Sequence, residues 1–160
     1  MRVRLRPPAL VLLAAALLAA AGCEYFLDDL LPQNTNEMAS RVFDLVNARR
    51  INAGLPVLTW NDDIAAEAKQ HSLDMADGMI PFGHEGFADR FARITLIIPA
   101  SAGAENVAYA SDAELAVSLW MDSDTHKANI LGNYDYTGVG VAYGESLGVY
   151  YFTQIFIRSR

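Results

Sequence analysis

The chain has 160 residues, 52% of them hydrophobic, and its 12 basic and 19 acidic residues give a net charge of −7. This length is enough for one domain with a sizeable core. The acidic balance argues against nucleic acid and against an anionic headgroup surface as partners, because the few basic residues are scattered along the sequence. The single cysteine, Cys23, excludes an internal disulfide, so the fold must depend on its hydrophobic core.

The first segment has the layout of a secretory signal. Three arginines before residue 7 are followed by an apolar run over residues 9–21 and by Gly22. The run has 13 residues, whereas a helix that spans a bilayer needs about 20. A cysteine directly after such small residues resembles the lipobox of bacterial lipoproteins, in which the thiol is acylated and becomes the new N-terminus. We therefore predict a signal peptide at residues 1–22 and a lipid on Cys23, with ordinary secretion and an uncleaved anchor as alternatives.

Cleavage before Cys23 would leave 138 residues and would remove three arginines but no acidic residue. The mature chain would then carry 9 basic against 19 acidic residues, a charge of about −10. We expect a lipid-anchored tether at residues 23–35 and a folded domain at residues 36–160. This organisation predicts a protein that works outside the cytoplasm, in the cell envelope.

The predicted helices occupy most of the chain before the last strands. Apolar residues at helical spacing, polar caps and glycine stops predict four helices. We expect Glu37 to complete a capping box with Asn34, and residues 111–114 to form a second box. In chain order, the helices are expected from Asn34–Asn36 to Gly54, from Asn61 to Gly78, around residues 87–94, and from residue 111 through Trp120.

The end of the chain changes to the alternating pattern of strands. Residues 137–143 and 149–157 read as two strands that are joined by a hairpin loop. Residues 57–60 are expected to form a further short strand. The pair Glu105-Asn106 is interpreted either as tying down a long loop through backbone hydrogen bonds or as a metal-ligating position. Helices before and beside a small antiparallel sheet predict an α+β fold, a three-layer α-β-α sandwich.

Three short polar clusters carry His84, Glu105 and His126. Two imidazoles and one carboxylate suit Zn²⁺, and three protein ligands would leave a fourth position for water. The separation is 21 residues in each step, which fits no compact metal motif. Each residue taken alone is more often a hydrogen-bonded structural group, so spacing by itself does not favour a metal site.

Several motifs follow one another in an order that is informative. They are Val46-Asn47-x-x-Arg50, Leu58-x-Trp60, Ala68-x-x-His71-Ser72, Gly83-His84-Glu85-Gly86-Phe87, Glu105-Asn106-Val107-Ala108, Trp120-x-x-Ser123-x-x-His126-x-x-Asn129-Ile130-Leu131 and Tyr136-Thr137-Gly138-Val139-Gly140. In this order they resemble the bacterial branch of the CAP superfamily: the cysteine-rich secretory protein, antigen 5 and pathogenesis-related 1 proteins, also called SCP-domain proteins. The resemblance runs from about Met38 to Ile157.

The resemblance implies an open cleft lined by two histidines and two acidic residues, which in some members bind Zn²⁺ or another divalent ion. Carried over by motif, His84, Glu105 and His126 take three of these positions, and Ser123 stands where the second acid is expected. Asp122 and Asp124 flank Ser123, but a one-residue offset on a helix turns a side chain by about 100°. A three-ligand or weak metal site is therefore as consistent with the sequence as the full tetrad.

Three functions remain open at this point. The leading hypothesis is a non-enzymatic cleft binder of a lipid, a wall component or a protein, because the sequence has no nucleophile elbow, His-Glu-x-x-His motif or phosphate-binding glycine loop. The alternative is a metal-dependent, protease-like hydrolase that uses the His/Glu cleft. A purely structural role for the polar residues is the third hypothesis, and His71, near the buried stripe of its helix, is interpreted as structural.

Overall fold

The computed structural model describes residues 34–160. The predicted signal peptide, the lipidation of Cys23 and most of the tether lie outside the described residues. The elements are α1 Thr35–Asn52, β1 Thr59–Trp60, α2 Asp62–Ala76, α3 Phe87–Thr95, β2 Ala100–Ala110, α4 Ala113–Asp122, α5 Asp124–Ile130, β3 Tyr136–Gly144 and β4 Val149–Ser159.

The four strands form one mixed sheet in the order β1-β3-β4-β2. The short strand β1 runs parallel to β3, with Thr59 opposite Tyr136. The pairs β3–β4 and β2–β4 are antiparallel, and β2 aligns Glu105 with Ile155. Strand β4 is therefore central, whereas β2 is an edge strand.

Helices cover both faces of the sheet. Helices α1, α4 and α5 pack on one face around Trp120, Phe152 and Phe156. Helices α2 and α3 pack on the other, around Ile64, Ile94 and side chains from alternate positions of β4. Because β4 lies between two helical layers, every residue from Tyr150 to Ile157 is buried. The three-layer α-β-α sandwich that the sequence predicts is confirmed.

Helix α2 lies unusually close to strand β3. A Cβ atom on Gly138 would come within 2.1 Å of the Ala65 backbone nitrogen, and one on Gly140 within 2.1 Å of the Lys69 backbone nitrogen. No side chain fits in that space, so these two glycines allow the helix backbone to rest directly on the strand.

The predicted helix positions are confirmed, but in both predicted capping boxes the observed hydrogen bonds join other residues. The Asn34 side chain accepts from the Asn36 backbone N–H at 3.0 Å instead of pairing with Glu37. The second N-cap residue is Asp112, whose carboxylate accepts from the Leu115 backbone N–H at 2.8 Å. A carboxylate one residue nearer the helix satisfies the exposed N–H group more directly than the serine before it.

The largest difference from the sequence-based expectation is strand β2. The sequence predicts no strand between the third and fourth helices, but Glu105 and Asn106 lie in an eleven-residue strand paired with β4. Val107 is the only β-branched residue in that strand, so its local signal is weak. Small residues are required here by packing, since a Cβ atom on Gly103 would come within 2.6 Å of the Phe91 ring.

Candidate functional site

Glu105 is the centre of the polar site and is held in a buried ion pair. Its side chain is 1% exposed. The Arg90 guanidinium donates from Nε to Oε2 at 3.0 Å and from Nη2 to Oε1 at 2.9 Å and to Oε2 at 2.8 Å. This two-pronged pairing neutralises the carboxylate where water cannot screen it.

Arg90 is the site residue that the sequence reasoning missed. It lies on α3 among the inward-facing positions that also hold Phe87 and Ile94, and it is 5% exposed. Its Nη1 group donates to the Glu85 carbonyl at 2.8 Å, which also fixes the preceding loop. An arginine inside an apolar helical stripe needs a buried acceptor, and that pattern is the signal that could have identified it.

His84, in the loop before α3, is hydrogen-bonded to the same carboxylate. Its Nδ1 atom lies 3.0 Å from Glu105 Oε1, and its side chain is 50% exposed. Because a carboxylate only accepts, Nδ1 must carry the proton, which fixes the orientation of the ring. Glu105 therefore orients His84 through Nδ1 and leaves Nε2 available to a ligand.

His126 lies beside His84 on the short helix α5. The two ring centroids are 6.4 Å apart. Burial lowers the pKa of His126, and the neighbouring His84 lowers it further, so the ring stays neutral to lower pH than an exposed histidine. Its backbone is held in place because Asn106 Nδ2 donates to the His126 carbonyl at 3.1 Å and Asn129 Nδ2 donates to Asn106 Oδ1 at 2.8 Å.

His71 has the structural role that the sequence predicts. It is buried on α2, and its Nε2 group donates to the Gly83 carbonyl at 2.9 Å, which holds the loop that carries His84. Burial is the main cause that lowers the pKa of His71. Its Nε2 atom lies 3.8 Å from Glu105, so this neutral ring completes the packing around the ion pair.

Ser123 lies at a break between two helices. Helix α4 ends at Asp122, Ser123 is extended with φ −103° and ψ 122°, and α5 begins at Asp124. The expected helical offset between Asp122 and Ser123 is wrong, because the chain is not helical at Ser123. Across the described range, none of these three side chains is hydrogen-bonded to His84 or His126.

The donor set fits a metal ion only in part. Within residues 34–160, no group of three or more His, Cys, Asp or Glu side chains is arranged to hold a metal. Both oxygens of Glu105 already accept from Arg90. The positive charge of this buried guanidinium repels a metal ion bound to the same carboxylate. Glu105 therefore does not fit the ligand role, and a divalent ion here would be held by His84 and His126, with Glu105 orienting the first imidazole.

An exposed aromatic surface continues from the histidines along strand β2. The Phe82 ring packs edge-on against Tyr109, with 4.9 Å between centroids. Both residues are about half exposed, at 46% and 52%. Glu105 and Tyr109 are four residues apart on one strand face, so the polar and aromatic ends lie about 13 Å apart.

The comparison with known proteins agrees with the motif order. A profile of the "Cysteine-rich secretory protein family" (CAP) matches residues 43–156. The chain belongs to the CAP family. It is 32% identical over 130 residues to the protein YkwD of Bacillus subtilis, covering 79% of this chain and 49% of YkwD.

Solved structures show the same fold. An extracellular SCP-domain protein from Bacillus anthracis superposes with a TM-score of 0.68 at 32% identity, covering 78% of this chain and 41% of that one. An outer surface protein of Borrelia burgdorferi superposes with a TM-score of 0.69 at 17% identity, covering 79% of this chain and 96% of that one. This chain thus spans about half the length of the Bacillus relatives.

Proposed function

We propose that this CAP protein is a non-enzymatic binder that recognises a ligand or envelope partner at the surface around His84 and His126. The observation that carries the proposal is the engagement of Glu105 by Arg90. A carboxylate neutralised in this way is a fixed support for His84 and is a poor metal ligand or general base.

The chemistry of the surface favours a ligand with two distinct ends. Since Nδ1 donates to Glu105, Nε2 is the acceptor of a neutral His84 ring, and one end of the ligand would offer it a hydroxyl or amide donor. Phe82 and Tyr109 provide an apolar contact for the other end. A lipid, a wall component and a protein segment all contain such pairs of groups.

The proposed location is outside the cytoplasm, with a lipid on Cys23. The Bacillus anthracis protein is described as extracellular and the Borrelia protein as an outer surface protein, which supports the location. Within residues 34–160, no helix is long and apolar enough to cross a membrane. Metabolic labelling with a fatty acid tests the anchor: we expect label on the wild type and none on Cys23→Ser.

A metal-dependent hydrolase is the weaker candidate. It would need His84 and His126 to hold the ion without a third protein ligand from the described residues. In such an enzyme the nucleophile is a metal-bound water that needs a general base, and both oxygens of Glu105 already accept from Arg90.

Binding is tested on the full chain with three probes: soluble muropeptides, phospholipid micelles and zinc chloride. The readout is the ¹⁵N NMR signal of the histidine ring nitrogens. We expect one of the first two probes to shift the His84 signal of the wild type, and titration calorimetry with that probe to show that His84→Ala/His126→Ala has lost the binding. Lys127→Ala, an exposed change next to His126, is the matched control and should bind normally.

The same variants separate binding from catalysis. Zinc-dependent peptide hydrolysis that disappears in His84→Ala/His126→Ala and persists in Lys127→Ala would contradict the binding proposal and favour the hydrolase. Absence of any shift of the His84 signal with muropeptides and micelles would also count against the binding proposal.

A further inference from the structure

Strand β3 has an open edge on the side where β1 ends. Strand β1 pairs with β3 over two residues and stops at Trp60, whereas β3 continues beyond Thr137 for most of its length. The Asn61 N–H donates to the Thr137 carbonyl at 2.9 Å, so the Thr137 backbone faces away from β4. Because backbone direction alternates along a strand, the N–H and C=O groups of Val139 and Val141 face the same outer side. Within residues 34–160, no hydrogen bond reaches these backbone groups from that side.

A groove of 460 Å³ lies over this open edge. Its walls are helices α1 and α2, which contribute the small side chains of Ala39, Ala65 and Ala66. The two valines of the β3 edge form part of the lining, and Trp60 lines the groove where the pairing of β1 with β3 stops. Because alanines leave room beside the strand, the groove can hold an extended chain between the two helices.

The charged residues of the groove do not select a charged ligand. Asp62 and Lys69, one acid and one base, both line it. Trp60 Nε1 donates to Asp62 Oδ1 at 2.8 Å, and Lys69 Nζ donates to the Thr35 hydroxyl oxygen at 3.2 Å. Both charged side chains therefore already have partners, and the recognition elements that remain are the apolar walls and the unpaired backbone groups of β3.

We propose that this cavity, the β3-edge groove, binds an extended, apolar segment of a partner protein as a fifth strand of the sheet. Alternating N–H and C=O groups are complementary to the backbone of an extended polypeptide, which offers the same alternation, whereas a lipid tail offers neither group. Strand β1 shows that a strand fits on this side of β3, and the added segment continues the sheet from the point where β1 stops.

The recessed position of the edge favours a single extended segment over a second copy of this protein. Val139 is 3% exposed and Val141 is 1% exposed. The same edge of a second copy would lie equally deep between its own helices, so the two edges could not meet. The groove is also distinct from the histidine site, because β3 and β2 lie on opposite sides of β4. Peptide binding here is therefore a function beyond the ligand recognition proposed above.

The test uses the full chain and a short capped peptide of alternating valine and threonine that is N-methylated at every second residue. This peptide keeps one edge of N–H groups for pairing, and its blocked edge prevents it from stacking into sheets of its own. We expect it to bind, to shift the Val139 and Val141 amide signals in ¹⁵N NMR spectra, and to slow their hydrogen exchange about tenfold. The same peptide N-methylated at every residue should bind about 30-fold more weakly in titration calorimetry, since two or more backbone hydrogen bonds are lost.

Variants locate the peptide on the protein. Ala66→Trp fills the groove from an exposed position of α2 and should lose most of the peptide binding. Ala48→Trp changes an exposed alanine of α1 outside the groove and is the matched control, which should bind normally. His84→Ala/His126→Ala should also bind the peptide normally, which separates a failure of this proposal from a failure of the proposed ligand site. Circular dichroism should show the same fold in all these variants.

Several results would overturn the proposal. Equal binding of the two peptides would mean that the groove recognises apolar side chains and not a peptide backbone. Binding of neither peptide would also contradict it, because pairing through the backbone does not depend on sequence. Slow hydrogen exchange of Val139 and Val141 in the free protein would show that the edge is already paired, and a dependence of that exchange on protein concentration would assign the groove to a second copy of this chain.

Discussion

Arg90 and Arg50 are both buried, and each needs hydrogen-bond acceptors for its guanidinium group; the two find different acceptors. Arg90 is paired with the Glu105 carboxylate beside the candidate site. Arg50, at the C-terminal end of α1, is 2% exposed and donates to the Pro56, Ile130 and Gly132 carbonyls at 2.7–2.8 Å. No carboxylate of residues 34–160 is hydrogen-bonded to it.

The comparison teaches what each buried charge does. Carbonyl dipoles satisfy the Arg50 donors without neutralising the charge, and burial lowers the Arg50 pKa from its usual value. That arrangement joins helix α1 to two loops. At Arg90, the acid is itself part of the site, so the ion pair links stability to the orientation of His84.

Arg90→Met removes the ion pair beside the candidate site and should have the largest effect on stability. It leaves the Glu105 carboxylate buried without its partner, which lowers the free energy of unfolding by about 3–5 kcal/mol. The matched control is Arg93→Met on the same helix, where an exposed arginine pairs with Glu67, and it should cost at most about 1 kcal/mol. Urea unfolding measures both, and equal losses would show that the ion pair is not a buried one.

Arg50→Met tests the second region. Three short hydrogen bonds to carbonyls are lost at about 1 kcal/mol each, so we expect a loss of about 3 kcal/mol in the free energy of unfolding. Arg49→Met, the exposed neighbour, should stay within about 0.5 kcal/mol. A wild-type-like melting temperature for Arg50→Met would mean that the carbonyls are satisfied by other groups.

His71, which lies beside the Arg90–Glu105 pair, should make the stability of the protein sensitive to acid. Its pKa is lowered mainly by burial, so the folded state favours the neutral ring over the charged one. Stability is then fully present above the unfolded pKa of 6.5 and is lost as pH falls below it. The groups that face His71 are Glu105, Arg90 and Asp74. Urea midpoints between neutral and acidic pH should fall in the wild type and fall less in His71→Phe, whereas parallel curves would contradict the assignment.

Removing the charge of Asp135 should have the smallest effect on stability. Asp135 is the acid that interacts electrostatically with Arg50, but it is exposed, and hydrogen bonds from the Ser159 hydroxyl and N–H are the main causes that lower its pKa. Because that pKa is lowered, its contribution is present at neutral pH and is lost as acid protonates it. Asp135→Asn should change stability by about 0.5 kcal/mol or less, and a loss as large as in Arg50→Met would show that Arg50 depends on this charge.

Much of the fold could be predicted because its signals are local. The helix stops at Gly54 and Gly78 have positive φ, as the glycine signals require. The alternating strands β3 and β4 and their turn appear where the period changes. Strand β2 could not be predicted, since its small residues are selected by packing against α3 and by pairing with β4, both distant in sequence.

The candidate site divides in the same way. The motifs identify His84, Glu105 and His126, and the structure brings them together, but the local pattern does not reveal that Arg90 occupies the carboxylate or that the chain breaks at Ser123.

The sequence alone therefore determined the family, the layers and the identity of the polar residues, because helical period, caps and motif order are properties of neighbouring residues. The tertiary structure alone decided which of those residues are neutralised, oriented or exposed. Burial, ion pairing and surface patches depend on distances between residues far apart in the chain, and no local pattern contains those distances.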